Sequence, residues 1–174
     1  MGIQFETDYN METLTAMAKS LRKTVRKKRS RRVHIFAAVV LVLGLLTILA
    51  TTAGGEPLGA SGVVTLLAML VVILVSLFED RLNAWFARKR LLPGTEHAAA
   101  TFEEDGYVSA TSMSESKFSY AQIVAVAETA RYFVFALSFC HTQAYDKRNI
   151  RGGSVEDFRA FIAEKTGKPV EDIK

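Results

Sequence analysis

Apolar and polar positions alternate along this chain in three successive ways. Ile3, Phe5, Thr7 and Tyr9 interleave with Gln4, Glu6 and Asp8, a period of two that predicts a half-buried strand over residues 1–9. From Met11 the spacing changes. Met11, Leu14, Ala18, Leu21 and Val25 recur every three or four positions, as one narrow stripe of a helix capped by Asp8 or Asn10. Neither Pro nor Gly interrupts residues 11–43, so this helix (10–32) is expected to run unbroken into the apolar segment that follows, with its stripe packed on the protein's own domain.

Residues 33–78 then form two apolar runs, 33–53 and 60–78, separated by Gly54-Gly55-Glu56-Pro57-Leu58-Gly59. The first contains no ionisable side chain except His34, and the second contains none. As helices, runs of this length are about 30 Å long, the thickness of the hydrocarbon layer. Helices satisfy their own backbone groups where lipid cannot. The short break predicts an antiparallel transmembrane hairpin. Gly44 and Gly62 permit close helix contact without a GxxxG pair. The hydroxyls of Thr47, Thr51, Thr52, Thr65 and Ser76 can bond their own helices, and the absence of charge at depth favours an anchor over a channel or transporter. A cleaved signal peptide is the rival reading, with Thr51-Thr52-Ala53-Gly54 as small residues for a peptidase. An acid-containing leader, an overlong apolar run and a second span argue against it.

Residues 79–94 continue the second helix out of the bilayer, with Trp85 and Phe86 at the interface, until Pro93-Gly94 ends it. Residues 95–174 read as a separate β domain. Ala98–Phe102 and Tyr107–Met113 flank the hairpin signal Asp105-Gly106, and Ser114-Glu115-Ser116 is a turn. Strands follow over Phe118–Val126, Arg131–Leu137 and Phe139–Tyr145, giving a five-stranded antiparallel meander. Ser154-Val155-Glu156-Asp157 has capping-box spacing and opens a helix whose apolar face is Val155, Phe158, Phe161 and Ile162. Gly167 and Pro169 stop it, and it should cover one face of the sheet. The N-terminal strand is expected to join that sheet. The fold class is therefore an α+β membrane protein: a two-helix hairpin plus a cytosolic antiparallel sheet capped by a C-terminal helix.

Charge orients this arrangement. Residues 1–32 carry nine Lys/Arg against three acids and residues 79–90 four against two, whereas the connecting loop has Glu56 and no base. The positive-inside rule then places both termini in the cytoplasm and only the loop tip outside, and the expected location is a bacterial inner membrane. Residues 91–174 carry nine bases against twelve acids, so the sequence pI of about 9.3 reflects the juxtamembrane segments and not a nucleic-acid surface. Basic clusters beside a span attract anionic headgroups. The candidate lipid-headgroup residues are Arg26, Lys27, Lys28, Arg29, Arg31, Arg32, Arg88, Lys89 and Arg90, together with a second basic edge, Lys147, Arg148 and Arg151.

Catalytic chemistry is sparse. Cys140, His141 and Asp146 are the only grouping that offers a nucleophile and a base, and neighbouring strand residues point to opposite faces. Cys140 is read as core and His141 as surface. A lone cysteine excludes an internal disulfide and fits a reducing compartment. His34, His97 and His141 lack metal spacing, and Glu103, Glu104 and Asp105 read as a solvated turn. Arg151-Gly152-Gly153 lacks the Lys-Ser/Thr of a phosphate loop. No cofactor is expected.

Two N-terminal spans, then Phe102-Glu103-Glu104-Asp105-Gly106-Tyr107, Tyr120-Ala121-Gln122-Ile123, Glu128-Thr129, Tyr132-Phe133, Lys147-Arg148 and Phe158, follow the order seen in YcxB-like proteins. The chain resembles that family over nearly its whole length, with Tyr120 where Trp is common and Asp146 where Pro is common. The resemblance implies a reduced PH/GRAM-type domain, a scaffold that often binds lipids or proteins, but no defined activity. The expected function is a non-enzymatic membrane protein with a cytosolic interaction or regulatory domain, with membrane lipids and a protein partner or second copy as its contacts. The alternatives are an anionic-lipid-sensing module and self-protection against a membrane-active toxin.

Overall fold

The computed structural model describes residues 2–55 and 57–174, so Glu56, the loop acid used for orientation, lies outside the described residues. In chain order the elements are β1 (Ile3–Asp8), α1 (Met11–Lys23), α2 (Lys27–Ala53), α3 (Ala60–Leu77), α4 (Glu79–Lys89), β2 (His97–Phe102), β3 (Tyr107–Thr111), β4 (Glu115–Phe118), β5 (Ala125–Glu128), β6 (Tyr132–Ala136), β7 (Thr142–Asp146), α5 (Val155–Thr166) and β8 (Val170–Asp172). The protein is α+β.

The strands form two four-stranded sheets, ordered β1-β2-β3-β4 and β7-β6-β5-β8, rather than one five-stranded meander. Strand β1 pairs antiparallel with β2, from Ile3 opposite Phe102 to Asp8 opposite His97. Two differences account for the second sheet. Tyr120–Gln122 coils into a 3-10 turn, capped by the Ser119 and Gln122 side chains, and this separates β4 from β5. Beyond Pro169, β8 returns parallel to β5, a pairing too short to leave a periodic signal.

The inward residues of both sheets meet in an aromatic core. Phe5 lies at its centre, 4.6 Å between ring centroids from Phe158 and 5.7 Å from both Phe102 and Tyr145. Helix α5 contributes Phe158 and Ile162, both fully buried, so its apolar face packs on a core shared by both sheets. Its capping box and its stop at Gly167 (φ +63°) follow the sequence signals. Each large side chain buried here contributes about 1.5–3 kcal/mol. Within this core Gln143 Oε1 accepts from both the Tyr107 and Tyr145 hydroxyls at 2.7 Å.

Helix α1 does not continue into α2. It ends at Lys23, and the chain turns through Thr24–Arg26. Thr24 and Val25 are β-branched and hold a helix weakly. The Thr24 hydroxyl donates back to the Ser20 carbonyl at 2.8 Å, and the Arg26 amide reaches Leu21 O at 2.9 Å. The turn frees the stripe to pack at home: Leu14 and Leu21 are buried beside α4, whose Ala84 is fully buried, and Ala16 and Met17 lie on the outer face of the second sheet. Arg22 fixes the junction, donating to both Asp80 carboxylate oxygens at 2.7 Å.

Helices α2 and α3 lie side by side with no buried residue in either, and each is long and apolar enough to cross a membrane. Gly44 provides their close approach: a Cβ there would fall 2.8 Å from the Met69 sulfur. Gly62 does not contribute to that contact, because it faces its own Leu58. Helix α4 follows α3 after a single non-helical residue, Phe78.

Candidate membrane-surface site

The basic residues singled out in the sequence separate into two groups. Arg26 occupies the α1–α2 turn, Lys27, Lys28, Arg29, Arg31 and Arg32 the first turns of α2, and Arg88, Lys89 and Arg90 the end of α4. The six of the α1–α2 turn and α2 adjoin the apolar pair in the chain, whereas Arg88, Lys89 and Arg90 lie at the end of α4 that is farther from α3. Lys147, Arg148 and Arg151 follow β7, at the end of the β6–β7 hairpin opposite its tip.

This second edge is occupied by carboxylates. Lys147 Nζ donates to Glu128 Oε1 and to the Thr129 carbonyl, both at 2.6 Å, and its side chain is only 13% exposed. Arg159 donates to Glu128 from two nitrogens at 2.6 and 2.7 Å. The hydrogen bonds from Arg159, then those from Lys147, hold the Glu128 carboxyl below its ordinary range against the opposing effect of burial. Asp146 accepts from Arg131 at 2.8 Å and from Arg148 at 3.2 Å, and Arg151 reaches Glu6 at 3.2 Å. Arg131 also bonds Glu12, which ties this corner to the start of α1.

The first group is arranged differently. The β6–β7 tip folds over the α1–α2 turn: Arg26 Nε donates to the Phe139 carbonyl at 2.7 Å, and the Arg26 and Arg29 guanidinium carbons lie 5.0 and 5.7 Å from the Phe139 ring. On α4, Lys89 Nζ sits 3.6 Å from the Trp85 ring, and Trp85 and Phe86 pack edge to face at 4.9 Å. Cation–aromatic pairs of this kind leave the charge solvated while presenting an apolar ring beside it.

Between these elements is a cleft of about 440 Å³. Its apolar wall is Leu14, Met17, Ala18 and Leu21 of α1 with Phe86 and Ala87 of α4, and its polar rim is Arg26, Asn83, Arg90, Cys140 and Thr142. Among the described residues neither Arg26 nor Arg90 has a carboxylate partner within 4 Å. A second cleft, of about 480 Å³, places Lys27 and Arg31 beside Lys23, Ser30 and His34, but Glu171 and Asp172 face it as well. An anion entering the second cleft meets two carboxylates; in the first it meets none.

Cys140 and His141 lie at one end of β7 and Asp146 at the other. Residues 137–141 form the hairpin tip, not a strand, and Cys140 is exposed there, contrary to the expected core position. The strand boundary moves because Leu137 and Ser138 both donate to the His141 carbonyl and close a turn. Asp146 is buried at the other end of β7 and committed to Arg131 and Arg148. Among the described residues no three His, Cys, Asp or Glu side chains are grouped to hold a metal. Burial pushes the Tyr120 hydroxyl up to about 12, so at neutral pH it donates to the carbonyls of Glu103 and Gly106 and pins the β2–β3 turn.

Asn83, Phe139 and Thr142 carry no motif that would have marked them; only the turn at residues 137–141 brings Phe139 onto Arg26. Compared with protein-family models, with curated proteins and with solved structures, the chain matches none.

Proposed function

We propose that this is a two-span anchored protein of the bacterial inner membrane, whose β domain rests on the cytoplasmic surface as a non-enzymatic interaction or regulatory module. One observation carries the reading: nineteen large apolar side chains of α2 and α3 are at least 40% exposed, and no residue of either helix is buried. At about 1.5–3 kcal/mol for each side chain fully withdrawn from water, exposure on that scale exceeds the ~5–15 kcal/mol that keeps a domain folded. Lipid removes the penalty. The basic residues at the domain end of the pair, and the lack of Lys or Arg in the loop, support the cytoplasmic orientation. The resemblance to YcxB-like proteins, with their PH-like domain, agrees with a surface-bound interaction role.

Cys140 supplies a direct test, because it is the sole cysteine and is exposed. A membrane-impermeant maleimide should label it in everted vesicles and leave it unlabelled in intact spheroplasts, while the protein resists carbonate extraction. Labelling from outside, or release by carbonate, overturns the placement.

A further inference from the structure

We propose that the cleft between α1, α4 and the β6–β7 tip is a binding site for the phosphate headgroup of an anionic phospholipid. The inference rests on the membrane placement above and deepens it.

Three observations converge. First, the charge is one-signed. Arg26 and Arg90 come from different elements to the same rim with no carboxylate among the lining residues. Guanidinium groups are planar, permanently charged and matched to phosphate oxygens, and are more weakly hydrated than ammonium groups. The Arg26 guanidinium is held in place by its bond to Phe139 O and by the Phe139 ring, so little ordering remains to be done when an anion arrives. Secondly, the cleft is two-sided. Asn83 and Thr142 add uncharged hydrogen-bonding groups at the rim, whereas Leu14, Leu21 and Phe86 supply an apolar wall. Free phosphate has no use for such a wall; a phospholipid, whose phosphate is esterified to a glycerol with acyl chains, does. Thirdly, the cleft lies among the elements that flank the apolar pair in the chain. Arg26 is the N-cap of α2, and Asn83, Phe86 and Ala87 belong to the helix that follows α3. A lipid beside α2 therefore meets Arg26 where that helix begins.

Of the twelve candidate basic residues, Arg26 and Arg90 are the two that line this cleft. Lys147 and Arg148 are engaged by Glu128 and Asp146, and Lys27 and Arg31 share their cleft with Glu171 and Asp172.

The test uses the full chain in nanodiscs containing equal phosphatidylcholine and phosphatidylglycerol, released into mild detergent and weighed by native mass spectrometry. Wild type should retain phosphatidylglycerol in preference to phosphatidylcholine, and inorganic phosphate should fail to displace it. R26Q/R90Q should weaken retention about thirtyfold, corresponding to ~1 kcal/mol for each of two cations. K117Q/K168Q removes equal charge from the β domain, outside the cleft and away from both basic groups, and should retain lipid as wild type does. Ala87→Phe fills the cleft without altering charge and should also abolish preferential retention, which keeps the proposal testable if the arginine variant does not fold. Equal retention of both lipids, displacement by inorganic phosphate, equal losses in the two charge variants, or full retention by Ala87→Phe would each overturn the site. A chain that resists carbonate yet holds no phosphatidylglycerol refutes the cleft alone; a chain released by carbonate refutes the membrane placement as well.

Discussion

Replacing Phe5 with Ala should detach the first strand from a domain that otherwise begins some ninety residues later in the chain. Phe5 is 1% exposed and touches the rings of Phe102, Phe133, Tyr145 and Phe158, so both sheets and α5 lose a shared neighbour. A Phe→Ala change at such a site costs about 3–5 kcal/mol, from lost transfer energy and the cavity left behind. Collapse is hindered because the four rings around Phe5 come from four different elements. Hydrogen exchange of the Phe133 and Phe135 amides, on the full chain in micelles, reads the effect. Where opening is global, 3–5 kcal/mol accelerates exchange by roughly a hundred- to several-thousand-fold. The Leu82 and Ala84 amides of α4, outside this core, should change much less. Acceleration of less than about fivefold, roughly 1 kcal/mol, would show that β1 is an accessory to the domain and refute its place in the core.

Glu128 makes stability pH-dependent with a definite sign. Its carboxyl titrates lower in the folded state, so the unfolded chain binds the extra proton first; the stabilisation is present above the ordinary carboxylate range and fades as pH falls through the folded value. Thermal melts from pH 7 to 3 should show that slope, and Glu128→Gln should flatten it while costing about 1.5–3 kcal/mol at neutral pH; an unchanged slope counts against the Arg159–Glu128–Lys147 assignment. Arg22 and Asp80 join α1 to α4 through two hydrogen bonds, and the side chains are 27% and 18% exposed. A double-mutant cycle with Arg22→Gln and Asp80→Asn should give a coupling of about 1 kcal/mol, and a value near zero would make the pair incidental.

What was legible in the sequence follows from the range of the forces involved. The α2–α3 pair, the α5 capping box and the Gly167 stop are local: charge-free length, Ser154 three residues before Asp157, and a glycine at φ +63° are all fixed by neighbours in the chain. The alternation over Ile3–Tyr9 likewise corresponds to β1. Division into two sheets was not legible, because it depends on a single 3-10 turn at Tyr120–Gln122 and on β8 finding β5. No strong stop marks the end of helix α1: Thr24 and Val25 only weakly oppose a helix, and the break goes with the burial of Leu14 and Leu21. At the candidate site, the basic residues were visible as charge, but their partners were not. Lys147 reads as a surface cation in the sequence but is largely buried against Glu128, and Arg26 is set apart only by a residue 113 positions away, Phe139.

The pairing of β1 with β2 has a consequence for biogenesis. Synthesis at ~5–20 residues per second leaves the first strand waiting several seconds to tens of seconds for its partner, during which both apolar helices are made. In the proposed bilayer placement, a nascent chain inserted with one end on the wrong side could never bring Phe5 to Phe158. Such a molecule would retain an open, aromatic-rich sandwich for the cell's quality-control proteases to detect, so the β domain doubles as a proofreader of its own insertion.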